Sequence, residues 1–328
     1  VVLGGTGYLG RAITEEVLKD SPNSVTIFSR DEVKHFHCVK LFGNNPKLHM
    51  VIGDIRDYDA VLQVTKDADI VFHAAALKRM DALESNVQEA IKTNVLASIN
   101  VFNACVTNNV DKVLFVSTDK ASSPINAYGA CKFVSEKIFT NYDRRKIKTK
   151  FVVTRFGNIL ESTGSVIPIF IDKIKSGQDI PLTDDRMSRF IICKREASQL
   201  MCDALRYGVG GEIVTKRLPA LKVTDLIAVL KSHFNAENET HVIGLRPGEK
   251  LHEVLVNAFE MKRSYEYKNY LIVRPSVEDI VGGMDQEDPI YVKDGCYLGD
   301  GELRDYSSDQ EVISQDALLD LFKKLCIL

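Results

Sequence analysis

Two ionisable pairs stand close together in the run STDKASSPINAYGACK, Ser117 to Lys132. Tyr128 and Lys132 are four residues apart in a helical pattern, so they share one face of a helix. An ammonium beside a phenol lowers the phenol's pKa, and the positive ring of an oxidised nicotinamide would lower it further. The tyrosinate can then take a hydroxyl proton while hydride leaves the same carbon. Asp119 and Lys120 are a second acid and base that plain hydride transfer does not need.

Hydride chemistry requires a dinucleotide, and the chain opens on a cradle for one. A strand-like run leads into Gly4-Gly5-Thr6-Gly7-Tyr8-Leu9-Gly10 and then an amphipathic helix. Both G-x-x-G-x-x-G from Gly4 and G-x-G-x-x-G from Gly5 fit. Either register brings backbone N–H groups close to a pyrophosphate at a helix N-terminus. Gly4, Thr6, Gly7, Tyr8, Leu9 and Gly10 are therefore expected to bind the cofactor. The second strand ends in Ser29-Arg30-Asp31-Glu32-Val33-Lys34. An NAD enzyme usually places an acid there for the ribose 2′-hydroxyl. Arg30 and Lys34, beside Ser29, suit a 2′-phosphate instead, although Asp31 and Glu32 dilute the signal. The expected cofactor is NADP. Asp54 and Ile55 end the third strand, where a carboxylate could meet the adenine amino group. Ala74, Ala75 and Ala76 end the fourth, and their small side chains let a cofactor lie against the backbone. His73 before them is expected to be a structural hydrogen bonder.

These residues sit at the carboxyl ends of strands in an alternating pattern. VVLGG, SVTIFSR, LHMVIGD, ADIVFHAAA, DKVLFVSTD and TKFVVTRFGN read as strands. AITEEVLKD, YDAVLQVTKD, VQEAIKTNVLASINVFNACVTNN and AYGACKFVSEKIFTNYDRR read as helices. Such alternation gives an α/β fold, a Rossmann-type doubly wound parallel sheet whose ligands sit at the strand ends. After about residue 158 the rhythm loosens. Loops are expected at ESTGSVIP and PLTDDRMSRF, helices over 194–207 and at VTDLIAVLKSHF, and a short strand at GEIVTK. The division expected is residues 1–157 for the cofactor and residues 158–328 for a smaller α/β substrate-binding lid with a C-terminal tail, some of whose segments return to the first domain.

The 328 residues are 45% hydrophobic, enough for a sizeable core. A net charge of −3 gives no basic field for nucleic acid or anionic lipid. The seven cysteines are scattered without C-x-x-C, as expected of reduced thiols in a cytoplasmic protein. No apolar run is long enough to span a bilayer, and the histidines show no ligand spacing, so no metal is expected. The chain opens at Val1 inside a strand-like run, so a few further residues are expected upstream.

The layout from glycine loop to Tyr128-x-x-x-Lys132 resembles the extended short-chain dehydrogenase/reductase superfamily. GGTGYLG, FSRDEVK, GDIRD, HAAALK, KTNVLAS, STDKASSPINAYGACK, RFGNI, GSVIPIF, TDDRMSRF and RPGEKLHE together resemble its C5-inverting UDP-N-acetylglucosamine 4,6-dehydratases. The resemblance runs from residue 1 to about 260, with a weaker echo at RDYSS. It implies a redox-neutral cycle on UDP-GlcNAc. Hydride leaves C4 with Tyr128 as base, the C5 proton and the C6 hydroxyl are eliminated as water, and hydride returns to C6. Retaining relatives carry Asp-Glu where this chain has Asp119-Lys120. The expectation is that Lys120 handles the C5 proton and Asp119 the C6 hydroxyl, with Thr118 bonding the C4 oxygen. A lysine base must be neutral, so its pKa is expected to fall from about 10.4 toward roughly 7–8. Arg189 and Arg246 are the expected diphosphate partners, Glu249 the partner of the uridine ribose, Asn158 a phosphate or sugar contact, and Lys78 a sugar or nicotinamide contact. Arg186 and Lys250 are expected to be surface charges. Some relatives have methionine in place of Tyr128; this chain keeps the tyrosine. The resemblance also implies a homo-oligomer paired through helices next to the Tyr–Lys helix. Two other readings stay open. A UDP-hexose 4-epimerase would use Tyr128, Lys132 and the cofactor but not Asp119-Lys120. A non-catalytic NADP-binding sensor would need none of the acid–base residues.

Overall fold

Short polar side chains set where the helices begin. Asp31, Asp57 and Asn126 each accept a bond from the backbone N–H three residues on, satisfying a donor that the first turn leaves over. The computed structural model describes residues 1–160, 162, 165–276 and 288–328. The first half runs β1 (Val2–Leu3), α1 (Tyr8–Lys19), β2 (Val25–Ser29), α2 (Glu32–Phe42), β3 (Leu48–Ile52), α3 (Tyr58–Val64), β4 (Ile70–His73), α4 (Met80–Ser85) and α5 (Val87–Ala90). A π-helical turn (Ile91–Leu96) leads into α6 (Ala97–Thr107). Then come β5 (Lys112–Val116), a 3-10 turn (Asp119–Ala121), α7 (Ala127–Thr140) and β6 (Lys150–Thr154).

The second half continues with β7 (Asn158–Ile159), α8 (Val166–Lys175), β8 (Ile180–Leu182), β9 (Ser188–Ile192), α9 (Lys194–Tyr207), β10 (Ile213–Lys216), β11 (Ala220–Lys222) and α10 (Val223–Phe234). After them come β12 (Thr240–Val242), β13 (Val254–Val256), α11 (Ala258–Met261), β14 (Ser264–Tyr267), β15 (Tyr270–Val273), α12 (Ile290–Lys293), β16 (Cys296–Tyr297), β17 (Tyr306–Ser307) and α13 (Gln315–Lys324).

The main sheet has ten strands in the order β16-β14-β15-β10-β6-β5-β4-β1-β2-β3. From β3 to β10 neighbours are parallel; β15, β14 and β16 continue antiparallel. The run 3-2-1-4-5-6 is the doubly wound order, with its switch between β1 and β4. The GEIVTK strand, read as part of the lid, is β10 and pairs with β6 in the main sheet. PLTDDRMSRF, read as a loop, contains the end of β8 and the start of β9. The ESTGSVIP loop falls partly on residues 161, 163 and 164, which lie outside the described residues. The helix α2 was hidden in a charge run, because Asp31 and Glu32 read equally as solvated charges and as a cap with first-turn acid.

Two hydrophobic cores flank a small sheet of β11, β9 and β7. Every residue of β9 is buried. Phe190 and Ile192 face the main core, while Ile191 faces the second core with Leu226, Leu230 and Phe322. That alternation is the two-residue period of a strand walled on both sides.

Candidate active site

The cradle comes from the first turn. Gly4 has φ +79°, and a Cβ there would lie 2.7 Å from the Ala75 backbone, so only glycine fits between the loop and the end of β4. A Cβ at Gly10 would strike the Gly4 carbonyl and the Gly5 backbone. At Gly7 it would meet nothing within 4 Å but the Gly4 oxygen, so the loop's outer side is open. No side chain caps α1 at Gly7, which leaves the first N–H groups of that helix, from Tyr8, Leu9 and Gly10, for an anion. Thr6 Oγ1 bonds Ser29 Oγ at 2.7 Å, and Ser29 Oγ bonds His35 Nε2 at 3.0 Å, pinning the loop to the end of β2.

The expected 2′-phosphate cations carry acidic partners. Lys34 pairs with Asp31 at 2.9 Å, and Arg30 leans on Asp54 at 3.7 Å. Asp54 is itself clamped by Arg56, through Nε at 2.9 Å and Nη2 at 2.6 Å. Burial pushes that carboxyl up, but Arg56 and Arg30 outweigh it and lower its pKa. Ile55 is buried and Ala74 to Ala76 are half-buried along the same crevice. Beyond them, Asn94 accepts from Leu77 N at 2.8 Å and donates to Leu77 O at 2.9 Å, which fixes the approach to exposed Lys78. Asn94 lies in the π turn, a break in helix geometry common at functional sites. His73 is buried with Nε2 3.1 Å from Ser98 Oγ, and burial drives its pKa down to about 3, as suits a structural hydrogen bonder.

The residues expected to react lie where the 3-10 turn touches α7. A Cβ at Gly129 would clash with the Lys120 carbonyl, so glycine at this position lets helix and turn dock. Thr118 Oγ1 donates to Asp119 Oδ1 at 2.7 Å and shares a side-chain hydrogen bond with Tyr128. Lys120 Nζ donates to Asp119 Oδ1 at 3.0 Å and lies 3.3 Å from Glu253 Oε1. Lys132 Nζ donates to Val116 O at 2.8 Å beneath the same turn.

The charge states differ from the sequence expectation in two respects. Burial alone would lower the Lys120 pKa, and Arg189 acts the same way, but Asp119 and Glu253 outweigh them and hold it above its ordinary value. The expected fall toward neutrality is thus reversed, because two carboxylates flank this ammonium. Burial also pushes the Tyr128 phenol up to about 12; Lys120 and the Thr118 bond oppose this, and Asp119 adds to it. Lys132 is the depressed lysine, lowered by burial to about 8 against the pull of Glu136.

The lid supplies a second set of contacts. Arg189 is buried on β9, donating to Ser188 O at 2.7 Å and Leu251 O at 3.0 Å, with Glu249 at 3.5 Å. Two residues expected to hold different parts of a substrate therefore hold one another. Arg246 is exposed, and Asn158 is half-buried in β7. Arg186 is a surface charge paired with Asp184 at 2.7 Å. Lys250 is not a surface charge. Its Nζ donates to Ser122 O at 2.8 Å and lies 4.0 Å from Glu253, because the RPGEKLHE segment folds back on the 3-10 turn. Asn126, the cap of α7, donates to Gly248 O at 2.8 Å and completes that seam. Glu253, Lys250, Asn126 and Asn94 escaped the sequence reading. The only signal for the first two is an i, i+3 acid–base spacing, which reads equally as a solvated helix pair.

With this geometry in view, the chain was compared with known proteins. A profile described as polysaccharide biosynthesis protein matches residues 1–275. The chain belongs to that family. Among its relatives, one from Campylobacter jejuni serotype O:2 is 38% identical over 98% of this chain and 96% of its own, and is named UDP-N-acetylglucosamine 4,6-dehydratase (inverting). One from Rickettsia bellii, named UDP-glucose 4-epimerase, is 39% identical over 94% of this chain and 90% of its own. The X-ray structure of Pen from Bacillus thuringiensis superposes with a TM-score of 0.89 at 34% identity, covering 100% of this chain and 97% of that one.

Proposed function

We propose that the protein is an inverting UDP-N-acetylglucosamine 4,6-dehydratase using NADP, with residues 1–157 holding the dinucleotide and residues 158–328 covering the sugar nucleotide. The observation that carries the reading is the Asp119–Lys120 pair beside Tyr128, with Asp119 buried and Lys120 half-buried, an acid and a base that a hydride-only enzyme lacks a use for. The uncapped α1 N-terminus, the open side of Gly7 and the Ala74–Ala76 wall fit a dinucleotide, and exposed Arg30 and Lys34 favour a 2′-phosphate. When bound, this cofactor takes the C4 hydride and returns it to C6.

The protein's own groups move the protons. Tyr128 would act as the tyrosinate, its raised pKa brought down by the positive ring of an oxidised nicotinamide, and take the C4 hydroxyl proton with help from Thr118 and buried Lys132. The resting pair is Lys120 ammonium and Asp119 carboxylate. Transfer of one proton across their 3.0 Å bond makes an amine and a carboxylic acid without any exchange with solvent. The amine removes the C5 proton and becomes ammonium again, while the acid's proton leaves with the C6 hydroxyl as water. As C6 regains hydride, Tyr128 would give the proton it took from the C4 hydroxyl to the opposite face of C5, which inverts that centre and returns every group to its starting state. Arg189, Arg246, Glu249, Asn158 and Lys78 would orient the diphosphate, ribose and sugar.

The test is incubation of the enzyme with UDP-GlcNAc in deuterated water. The expected product has lost one water and carries deuterium and inverted configuration at C5 by proton NMR. Lys120→Ala is expected to lose C5 exchange and elimination by at least about a hundredfold, and normal turnover in that variant would sink the assignment. A product of unchanged mass, epimeric at C4, would indicate the activity named for the Rickettsia relative. The enzyme is also proposed to be a homo-oligomer, paired through the exposed apolar residues Ile91, Ile99 and Val134 along the π turn, α6 and α7.

A further inference from the structure

The acid–base chemistry above uses Asp119 and Lys120 and leaves Glu253 without a task. Yet Glu253 is 2% exposed, and its Oε1 lies 3.3 Å from Lys120 Nζ. Its backbone is tied at both ends to Ser308: Glu253 N donates to Ser308 Oγ at 2.9 Å, and Ser308 N donates to Glu253 O at 2.9 Å. The carboxylate is therefore aimed by a segment far along the chain. Its Oε2 is buried with no hydrogen-bond partner among the described residues, the Lys250 ammonium standing off at 4.0 Å.

A salt bridge that only closed the lid would be expected to satisfy both oxygens, since an unpaired buried oxygen costs stability. Asp119 alone already neutralises Lys120. A second carboxylate 3.3 Å from the same nitrogen fixes where that nitrogen sits. We propose that Glu253 is a positioning residue for the C5 step, holding Lys120 Nζ in place as it takes the C5 proton. Because the resting Lys120 is already an ammonium, the gain is one of placement, and a base held in line with the proton it removes reacts faster than one free to swing. The charged and titratable groups around Lys120 are Asp119 and Glu253, which favour its ammonium, Arg189, which opposes it, and the Tyr128 phenol. Around Glu253 they are Lys120, Lys250 and, through Lys250, Asp119 and Asp305.

The inference rests on the dehydratase reading, and its test separates the two. Glu253→Gln keeps size and removes charge. Given UDP-GlcNAc and the bound cofactor, it is expected to accumulate reduced cofactor, because C4 oxidation then outpaces elimination. C5 deuterium exchange and water loss slow by about tenfold or more. The limb of the pH profile of elimination set by Lys120 moves to lower pH by about one unit or more, since the neighbour that favoured its ammonium is gone. Glu253→Asp restores part of the rate. Exchange at the wild-type rate with an unshifted profile overturns the proposal. So does a parallel loss of C4 oxidation and exchange, which a merely structural role would produce. Wild-type enzyme that yields no dehydrated sugar overturns the dehydratase reading instead. Glu253 is then judged by the titration of Lys120 Nζ in lysine-labelled protein, whose midpoint falls in Glu253→Gln if the placement is right and stays if it is wrong. Should Glu253→Gln fail to fold, Ser308→Ala loosens the same anchor; slower C5 exchange with preserved C4 oxidation supports the proposal, and unchanged exchange overturns it.

Discussion

Lys120 and Lys132 flank Tyr128 in the sequence and are pushed in opposite directions by their company. Lys120 has two carboxylates within 3.3 Å. Lys132, 3% exposed, has a backbone carbonyl and the face of Phe115 at 4.4 Å. Burial lowers Lys132 from 10.5 to about 8. A lowered lysine pKa means that the unfolded chain binds more protons between those values, so its share of stability grows as pH rises from about 8 to about 10.5. The integrated effect is of the order of 3 kcal/mol. Lys132→Met is expected to abolish C4 oxidation and to lose that rise. Thermal melts of both proteins from pH 7 to pH 10.5 check it, and parallel curves would contradict it. At this scale the sequence displayed Tyr128, Lys132, Asp119 and Lys120 by spacing alone. It concealed the sign of the Lys120 shift, because one of the two carboxylates that hold it up is 133 residues away.

Among the elements, the 3-10 turn and the start of α7 must touch for the two pairs to act on one sugar, and Gly129 is the contact point. Gly129→Ala forces a methyl group into the Lys120 carbonyl. The expected result is a folded protein less stable by about 1–3 kcal/mol and slower by about a hundredfold, read from melts and initial rates together. Wild-type kinetics would show that the close approach is dispensable. The helix periods and the first six strands were legible because their apolar spacing is local. The placement of β10 was not, since GEIVTK carries no mark of which sheet it joins. The π turn was also invisible: KTNVLAS has ordinary helical spacing, and the extra residue is held by side-chain bonds to the Asn94 carbonyl from Ser98 and Ser135, each 2.7 Å.

For the whole molecule, Val134 on α7 is 45% exposed, and Ile91 in the π turn and Ile99 on α6 are 42% and 38% exposed, on elements that pack against α7. The α7 side of the proposed pairing is expected to be covered by a second copy. Val134→Glu should therefore sediment as a smaller species than the wild type. A wild type that is itself monomeric at micromolar concentration would end that reading. A change of rhythm near residue 158 was readable, but the wall of β9 between two cores was not. A strand buried on both faces reads as a plain apolar run, and SRFII is too short to announce it.

Ser308 gives the molecule an order of assembly in time. A ribosome that has delivered residues 1–160 has already delivered the glycine loop, Asp119, Lys120, Tyr128 and Lys132. The residue that anchors Glu253 emerges only after every strand of the ten-stranded sheet has been made. The proton affinity of Lys120 therefore matures with the growing chain, and an interrupted translation product that stops short of residue 308 carries the redox pair without the brace that completes its base.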